Sequence, residues 1–217
     1  LSYLRSASEV FAVGRIDAQH FQPRYEALVD LIDATGQGAH LGDWLNVNKR
    51  GKQPKYGGEG LSVVNSKHVL RGEVRLDEDN RVAKFDEDSL LIQNGDVLIN
   101  GTGVGTIGRA APYLHANPAI PDNHVTILRP KKGLDAVYLS VVLNSMAGQW
   151  QVEQRLRGSS GQIELYPTDI GQFRVWIAPT LVQAGIRRMV EESYAQKQRG
   201  TQLLEAAKRA VEIAIED

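Results

Sequence analysis

The stretch DVLINGTGVGTIGR (96–109) decides the fold, because it allows two incompatible interpretations. Its glycines match the G-x-G-x-x-G pattern of dinucleotide-binding folds, in which a helix follows the glycines directly. Here Pro112 would fall inside that helix, and no acidic residue ends a second strand at the expected spacing. The sequence therefore predicts two strands, 96–100 and 106–110, joined by a glycine-rich turn.

Short β-rich runs separated by Gly, Asn and Asp surround this hairpin between residues 41 and 130. We predict further strands at 61–64, 89–92, 124–128 and 173–177. The spacing of apolar residues predicts helices at 22–33, 135–146 and 150–156. These patterns indicate an α+β protein, with a mixed, β-rich domain over residues 1–178 that contains a few helices.

The remaining segment, 179–217, is predicted to be one long helix of the coiled-coil type. Thr180 to Gln183 fits a capping box, and no proline follows. About 37 residues would span roughly 55 Å, too long to pack entirely against so small a domain. Residues spaced by four and three form a candidate seam for a partner helix: Ile186, Val190, Ser193, Lys197, Gly200, Leu204, Ala207, Val211 and Ala214. The alternative is a helix that folds back on its own domain and breaks near Gly200.

Charge is nearly balanced over the 217 residues, at a net −1, but it is segregated along the chain. Residues 49–75 hold seven basic side chains against two acids, whereas residues 76–96 hold seven acids against two basic side chains. Such segregation can give one positive face that attracts phosphate, although two ordinary solvated loops would give the same pattern.

Few residues suggest catalysis or metal binding. There are no cysteines, which removes disulfides and thiolate chemistry and is compatible with a cytoplasmic protein. The five histidines lack metal-ligand spacing, so no metal site is predicted. His124 lies beside Asp122, where a dyad is conceivable and a structural histidine is the stronger interpretation. No apolar stretch of about 18 residues and no secretory layout is present. Because the chain begins with Leu1, we expect a processed chain or part of a longer polypeptide.

Several short motifs follow one another between residues 15 and 217. They are RIDA (15–18) with Phe21, Pro23 and Tyr25, GDVLI (95–99), GTGVGTIGR (101–109), NHVTILRP (123–130), Tyr138-Leu139, GSSGQ (158–162), and Pro179 with Gln183 and Ile186. Their order and spacing are more specific than any one of them. Together they resemble one half of the specificity subunit of type I restriction-modification enzymes.

This resemblance implies a non-catalytic subunit that recognises one half of a split DNA sequence. Members of the family carry two target-recognition domains, each followed by a long helix, and the two helices pack together as a spacer. Methyltransferase subunits that bind S-adenosylmethionine and methylate adenine dock on this scaffold, and a motor-nuclease subunit can join them. This chain has only one domain and one helix, so the resemblance implies a homodimer that reads an interrupted palindrome.

In that role, basic residues would contact phosphates, while polar side chains in the turns would meet base edges. The DNA-binding candidates are Lys49, Arg50, Lys52, Lys55, Lys67, Arg71, Asn100, Thr102, Arg109, Arg157, Ser159, Ser160 and Gln162. The candidates for the dimer helix are Ile186, Val190, Leu204, Ala207 and Val211. No cofactor is expected on this chain. Two alternatives are a nucleotide-binding enzyme that uses the Gly103–Gly108 turn, and a protein-interaction adaptor that never touches DNA.

Overall fold

A computed structural model describes residues 3–85, 90–158 and 163–216. Its helices are α1 (Ala7–Val13), α2 (Pro23–Asp33), α3 (Ala136–Asn144), α4 (Met146–Arg155), α5 (Pro167–Gly171) and α6 (Thr180–Glu216), with a short 3-10 helix at Leu41–Trp44. Its strands are β1 (Gly38–His40), β2 (Leu45–Arg50), β3 (Tyr56–Val64), β4 (Val82–Ala83), β5 (Val97–Asn100), β6 (Ala110–Pro112), β7 (Ile120–Pro121), β8 (Val125–Pro130) and β9 (Arg174–Trp176). This composition confirms the predicted α+β class.

A four-stranded antiparallel sheet in the order β2-β8-β5-β6 lies at the centre of the domain. The strand pairings at one of its ends are Arg50 with Thr126, Asn100 with Val125, and Ile99 with Ala110. Because neighbouring strands run in opposite directions, the chain leaves β2 and β5 and enters β6 and β8 at this end. We call this end the loop edge of the sheet.

Strand β5 is buried on both faces, which explains its continuous apolar sequence. Val97 and Ile99 join the main core with Leu139 of α3, while Leu98 points to a second core that contains Tyr113. This alternation follows from the two-residue repeat of a strand. Burying each such side chain contributes ~1.5–3 kcal/mol, so strand β5 adds several kcal/mol to the stability of the domain.

One ion pair lies beside these apolar residues, at the start of β5. Asp96 is 1% exposed and accepts two hydrogen bonds from the Arg129 guanidinium, at 2.7 and 2.9 Å. These hydrogen bonds raise the pKa of Arg129, so the arginine stays charged. The pair joins the start of β5 to the end of β8 and holds the sheet together opposite the loop edge.

The predicted hairpin is confirmed, since β5 and β6 pair in antiparallel fashion across the glycine-rich turn. The return strand begins at Ala110 rather than at Thr106, because residues 101–109 form a wider turn than predicted. The predicted strand at 89–92 begins at Ser89, outside the described residues. Its described end forms only an isolated bridge between Ile92 and Ala119.

The helices α3 and α4 replace the predicted pair at 135–146 and 150–156, and they meet at Ser145. Gly148 allows the second helix to start this early. A side chain there would place its Cβ 2.3 Å from the Leu143 carbonyl oxygen, so only glycine lets α4 approach the end of α3 so closely. The amino-terminal helix α1 has no buried residue, and the apolar spacing did not predict it.

The predicted long helix is confirmed as α6, which is continuous through Gly200. The role predicted for Gln183 was wrong. Its side chain is 3% exposed and, instead of capping its own helix, accepts a hydrogen bond from Asp135 N at 2.8 Å. It also donates to the Gly133 and Ala178 carbonyl oxygens, at 3.0 and 2.7 Å. A buried amide therefore fastens α6 to the loop before α3.

Residues 180–197 of α6, here called the docked half, lie against the domain. Ile186, predicted to face a partner helix, instead packs against the main core of its own chain, and Val190 is half-buried. Arg187 pairs with Asp135 at 2.7 Å, and the Tyr194 hydroxyl donates a hydrogen bond to the Gly72 carbonyl oxygen. The seam therefore cannot run unbroken along a partner helix from Ile186.

Residues 198–216, here called the exposed half, are solvent-exposed throughout. Leu203, Leu204 and Val211 are 62%, 58% and 59% exposed. Their apolar side chains recur at helical spacing, so this half presents an apolar face that its own domain does not cover.

Candidate nucleic-acid interface

The loop edge gathers segments that are far apart in the sequence. The sheet order places residues 51–55 after β2, residues 101–109 between β5 and β6, and residues 122–124 before β8 side by side. Thr102 also forms a bridge with Glu164, which pairs in turn with Arg157. Most of the predicted DNA-binding residues therefore lie at one end of one sheet.

A cleft of about 470 Å³ opens at this edge, here called the basic cleft. Its five basic side chains belong to Lys49, Arg50, Lys52, Lys55 and Lys84, and none of its described lining residues is acidic. The other lining residues are Gln53, Pro54, Leu90, Ile120 and Pro121. The four lysines are exposed, so their ammonium groups are available to an anionic ligand.

Lys84 was missed at the sequence level, because it lies in the predominantly acidic segment 76–96. The antiparallel pairing of β3 with β4 carries it across to the lysines that follow β2. No local signal in the sequence indicates this contact, since it depends on the registry of two strands.

Arg50 differs from the lysines, because its guanidinium is used within the protein. It donates hydrogen bonds to the Leu165 and Gly101 carbonyl oxygens at 2.6 and 3.3 Å, and it lies 3.5 Å from the Glu164 carboxylate. The Tyr166 ring lies 5.4 Å from the same guanidinium. Arg50 therefore joins β2 to the glycine-rich turn and positions the cleft.

The glycine-rich turn does not form a nucleotide-binding loop. Gly103, Gly105 and Gly108 have φ values of 101°, 75° and 77°, a region that favours glycine. No helix follows them, and Pro112 lies in strand β6, so the turn lacks the helix amino terminus that would face a pyrophosphate. A Cβ at Gly108 would lie 2.8 Å from Val152 Cγ1, so this glycine serves close packing against α4.

Beside the turn lies a second cavity of about 620 Å³, here called the turn cavity. Its lining residues are Ser66, Thr102, Gly103, His124, Arg157, Gly158, Ile163, Glu164 and Tyr166. The Thr102 hydroxyl is hydrogen-bonded to His124 Nδ1. Hydroxyl, imidazole, carboxylate and guanidinium groups thus face one space, and they offer both donors and acceptors to the edge of a base.

The conceivable dyad of His124 with Asp122 is absent. Asp122 is buried, and its carboxylate accepts a hydrogen bond from the backbone N–H of His124 at 2.8 Å, while the imidazole contacts Thr102 instead. Burial raises the pKa of Asp122. Its contact with the backbone indicates that Asp122 shapes the loop before β8.

Arg157 lines the turn cavity and is anchored by Asp169. The guanidinium donates two hydrogen bonds to this carboxylate, at 2.9 and 2.6 Å. These hydrogen bonds raise the pKa of Arg157. Half of the arginine side chain remains exposed, at 54%. It can therefore face a ligand, although its charge is largely balanced by Asp169.

Asn100 must be removed from the predicted site. It is 0% exposed, and its amide donates hydrogen bonds to the carbonyl oxygens of Ser66, Val69 and Thr106 at 2.9, 3.3 and 3.2 Å. A side chain enclosed in this way cannot reach a base edge. Asn100 instead anchors the turn to the segment that carries Lys67.

The other predicted residues do not form one cluster. Lys67 is exposed and follows Ser66 of the turn cavity, whereas Arg109 donates to the Gly105 carbonyl oxygen at 2.7 Å. Arg71 lies on the side of α4, where it donates to Gln149 Oε1 at 3.0 Å, and so it stands apart from the basic cleft. Ser159, Ser160 and Gln162 lie outside the described residues.

Within residues 3–85, 90–158 and 163–216, no group of three or more His, Cys, Asp or Glu side chains is arranged to hold a metal ion. In the same part of the chain, no helix combines the length and the apolar character that a membrane crossing requires.

Comparison with known proteins connects this fold to one class of solved structures. No family model and no curated protein matches the chain. Several solved structures do match it, and three of them illustrate the similarity. A chain from a structure on complex assembly and conformational transition of the type I R-M system matches with a TM-score of 0.54 and 15% identity over 92% of this chain and 50% of that one.

The second is the HsdS subunit from Thermoanaerobacter tengcongensis, with a TM-score of 0.51 and 16% identity over 87% of this chain and 48% of that one. The third is the type I restriction-modification S subunit from M. genitalium, with a TM-score of 0.50 and 14% identity over 81% and 47%. This chain spans about half the length of each. The resemblance predicted from the motifs is therefore confirmed at the level of the fold, which is that of about half a type I restriction-modification S subunit.

Proposed function

We propose that this chain is a non-catalytic DNA-specificity subunit of a type I restriction-modification complex and recognises one half of a split target sequence. The observation that carries the proposal is the basic cleft, which places four exposed lysines at the loop edge of a fold shared with S subunits. Lysine contacts with phosphates carry no sequence information, so the cleft would set affinity and orientation on the duplex.

Sequence discrimination would come from the turn cavity next to the cleft. In this proposal, Thr102, His124 and Glu164, which line the turn cavity, would contact the base edges of the bound duplex. Polar side chains of these types distinguish bases in the major groove, where every base pair shows its own pattern of donors and acceptors. In this proposal the lysines contact the phosphate backbone of the DNA, and the residues of the turn cavity contact the bases.

Selection from random duplexes, with the methyltransferase partner present, tests whether the chain recognises a specific DNA sequence. We expect one split sequence to be enriched. The double variant Lys49→Glu with Lys52→Glu should weaken binding to all sequences and lower the slope of log affinity against log salt by about 2, since each lost phosphate contact removes about one unit.

A matched control exists at the opposite end of the same sheet. Lys131 and Lys132 follow β8 there, so Lys131→Glu with Lys132→Glu changes the charge equally and should leave the affinity and its salt slope near the wild-type values. If both double variants weaken binding equally, the basic cleft is not the DNA site. If no sequence is enriched, the adaptor that never touches DNA becomes the better account.

Partner subunits would supply the chemistry. We propose that methyltransferase subunits carrying S-adenosylmethionine dock on this chain and methylate adenine in the selected site, and that a motor-nuclease subunit can join them. The chain alone should then transfer no methyl groups to DNA, whereas the complex should modify the selected sequence. Micromolar binding of NAD, ATP or S-adenosylmethionine to the isolated chain in calorimetry would favour the nucleotide-binding enzyme instead.

The exposed half of α6 supports a second proposal, that two copies pair through this helix and together read an interrupted palindrome. The contact would use Leu204, Ala207 and Val211, which are exposed, rather than Ile186, which packs on the main core, and the half-buried Val190.

Sedimentation tests this pairing. Leu204→Glu with Val211→Glu should convert a dimer to a monomer, because two charges would be buried at the contact. Glu205→Gln with Glu212→Gln has the same seven-residue spacing on a different side of the helix and should remain dimeric. An unchanged mass for the first variant would contradict pairing through this face.

A further inference from the structure

The turn between β5 and β6 carries a bare apolar side chain at its tip. Val104 is 85% exposed, and it lies between Gly103 and Gly105, whose φ values of 101° and 75° are positive. Turn tips are ordinarily occupied by Gly, Pro, Asn, Asp or Ser. An aliphatic side chain in this position contributes nothing to the core, and it is available for a contact outside the chain.

The turn that presents Val104 is held by side chains on both sides. Thr106 Oγ1 donates to the Thr102 and Gly103 carbonyl oxygens, each at 3.2 Å. Arg109 donates to the Gly105 carbonyl oxygen at 2.7 Å, and the buried amide of Asn100 reaches the Thr106 carbonyl oxygen. Such a tip loses little conformational freedom on binding, which favours a specific contact.

The turn that carries Val104 lies between two segments that contain basic residues. Gly103 lies beside Ser66, whose Oγ is 4.0 Å from the position that a Cβ on Gly103 would take, and the exposed Lys67 follows Ser66. Arg109 lies on the other side of the turn, and the turn cavity with Thr102 adjoins it. An apolar tip flanked by basic residues would suit an apolar group that is itself surrounded by phosphates.

DNA offers one such group, the C5-methyl of thymine, which is accessible only in the major groove. That groove is about 12 Å wide, enough to admit a two-stranded ribbon. The strands β5 and β6 are themselves buried, but the turn that joins them presents Val104 to solvent at the loop edge.

We propose that Val104 is a specificity-determining residue that contacts the methyl group of a thymine in the major groove, an inference that rests on the DNA-reading function proposed above. Gly103 and Gly105 would then serve this contact, because they place Val104 at the tip of the turn without side chains of their own beside it, while Gly108 packs against α4.

Replacing thymine by uracil removes only this methyl group and therefore tests the contact directly. Each thymine of the selected site is replaced in turn, and the affinity is measured for the wild-type chain and for Val104→Ala. At one position the wild-type chain should bind the uracil duplex about fourfold more weakly, which corresponds to ~0.8 kcal/mol for one buried methyl group. Val104→Ala should bind both duplexes about equally.

Leu31→Ala is the matched control, since Leu31 is an exposed aliphatic residue, at 68%, on α2 rather than at the loop edge. It should keep the wild-type response to uracil. The inference is overturned if the selected site holds no thymine, if no position responds, or if Val104→Ala responds as the wild-type chain does. These outcomes differ from failure of the proposed function, in which the wild-type chain selects no sequence at all.

Discussion

The two halves of α6 have the same secondary structure but opposite relations to the domain. The docked half is held by the buried amide of Gln183, the Arg187–Asp135 ion pair and the packing of Ile186 on the main core. The exposed half makes no such contact among the described residues and presents Leu203, Leu204 and Val211 to solvent. One continuous helix is thus packed on the domain along its first half and exposed to solvent along its second half. The helical pattern of the sequence alone does not show where this change occurs.

Among variants that test the contrast between the two halves, Gln183→Ala is expected to change the free energy of unfolding most. The change leaves the Asp135 N–H and the Gly133 and Ala178 carbonyl oxygens without their partner, and unsatisfied buried groups each cost ~1–3 kcal/mol. We expect the free energy of unfolding to fall by about 3 kcal/mol in chemical denaturation. Gln196→Ala, an exposed glutamine on the same helix, should change it by less than about 0.5 kcal/mol. Equal losses would mean that the amide does not anchor α6.

A smaller loss is expected from Ile186→Ala, which removes apolar contacts with the main core. Because the side chain is only partly buried, we expect a loss of about 2 kcal/mol, at the low end for such truncations. Met189→Ala lies one turn along the same half, but Met189 is 70% exposed and its truncation should be nearly neutral. Thermal denaturation of both variants makes the comparison, and a neutral Ile186→Ala would return this residue to the partner-facing seam.

Tyr194→Phe should cost about 1 kcal/mol, because it removes the hydrogen bond to the Gly72 carbonyl oxygen. The effect should depend on pH. Burial raises the pKa of Tyr194, so the folded state favours the protonated hydroxyl; the stabilisation is present below the unfolded pKa of about 10 and is lost as the pH rises through the folded value.

Melting temperatures measured between neutral pH and about pH 11 should therefore fall more steeply for the wild-type chain than for Tyr194→Phe. Tyr113, whose pKa burial raises to about 12, contributes the same background to both proteins. Parallel curves would show that Tyr194 does not couple the helix to the domain.

The smallest effect is expected from Gly200→Ala in the exposed half. A Cβ there meets nothing within 4 Å, and alanine stabilises a helix interior by ~1 kcal/mol relative to glycine. Because this half is not packed on the core, hydrogen exchange of its amides should slow while global unfolding stays unchanged. Gly185→Ala, equally open but in the docked half, should instead raise global stability. A global gain from Gly200→Ala would show that the exposed half folds as one unit with the domain.

The candidate site likewise contains residues that the local sequence predicts and residues whose position only tertiary contacts decide. The lysines at 49, 52 and 55 were predicted because they are concentrated in one loop, and the sheet then places that loop at an edge with the glycine-rich turn. Lys84 was missed because strand pairing brings it in from an acidic segment. Asn100 was wrongly included, since an asparagine after a strand has the same local pattern whether it faces solvent or anchors a turn.

The sequence by itself determined the α+β class, the glycine hairpin and the long terminal helix, because each depends on local periodicity, on Pro112 or on the absence of proline after Pro179. Only the tertiary structure decided which strand ends share the loop edge, that Arg50 is used internally, and that the seam of α6 is divided between its own domain and solvent. These features depend on contacts between residues far apart in the chain, such as Gln183 with Gly133 and Arg50 with Leu165. Contacts of this kind are set by how whole elements pack, and no short stretch of sequence encodes them.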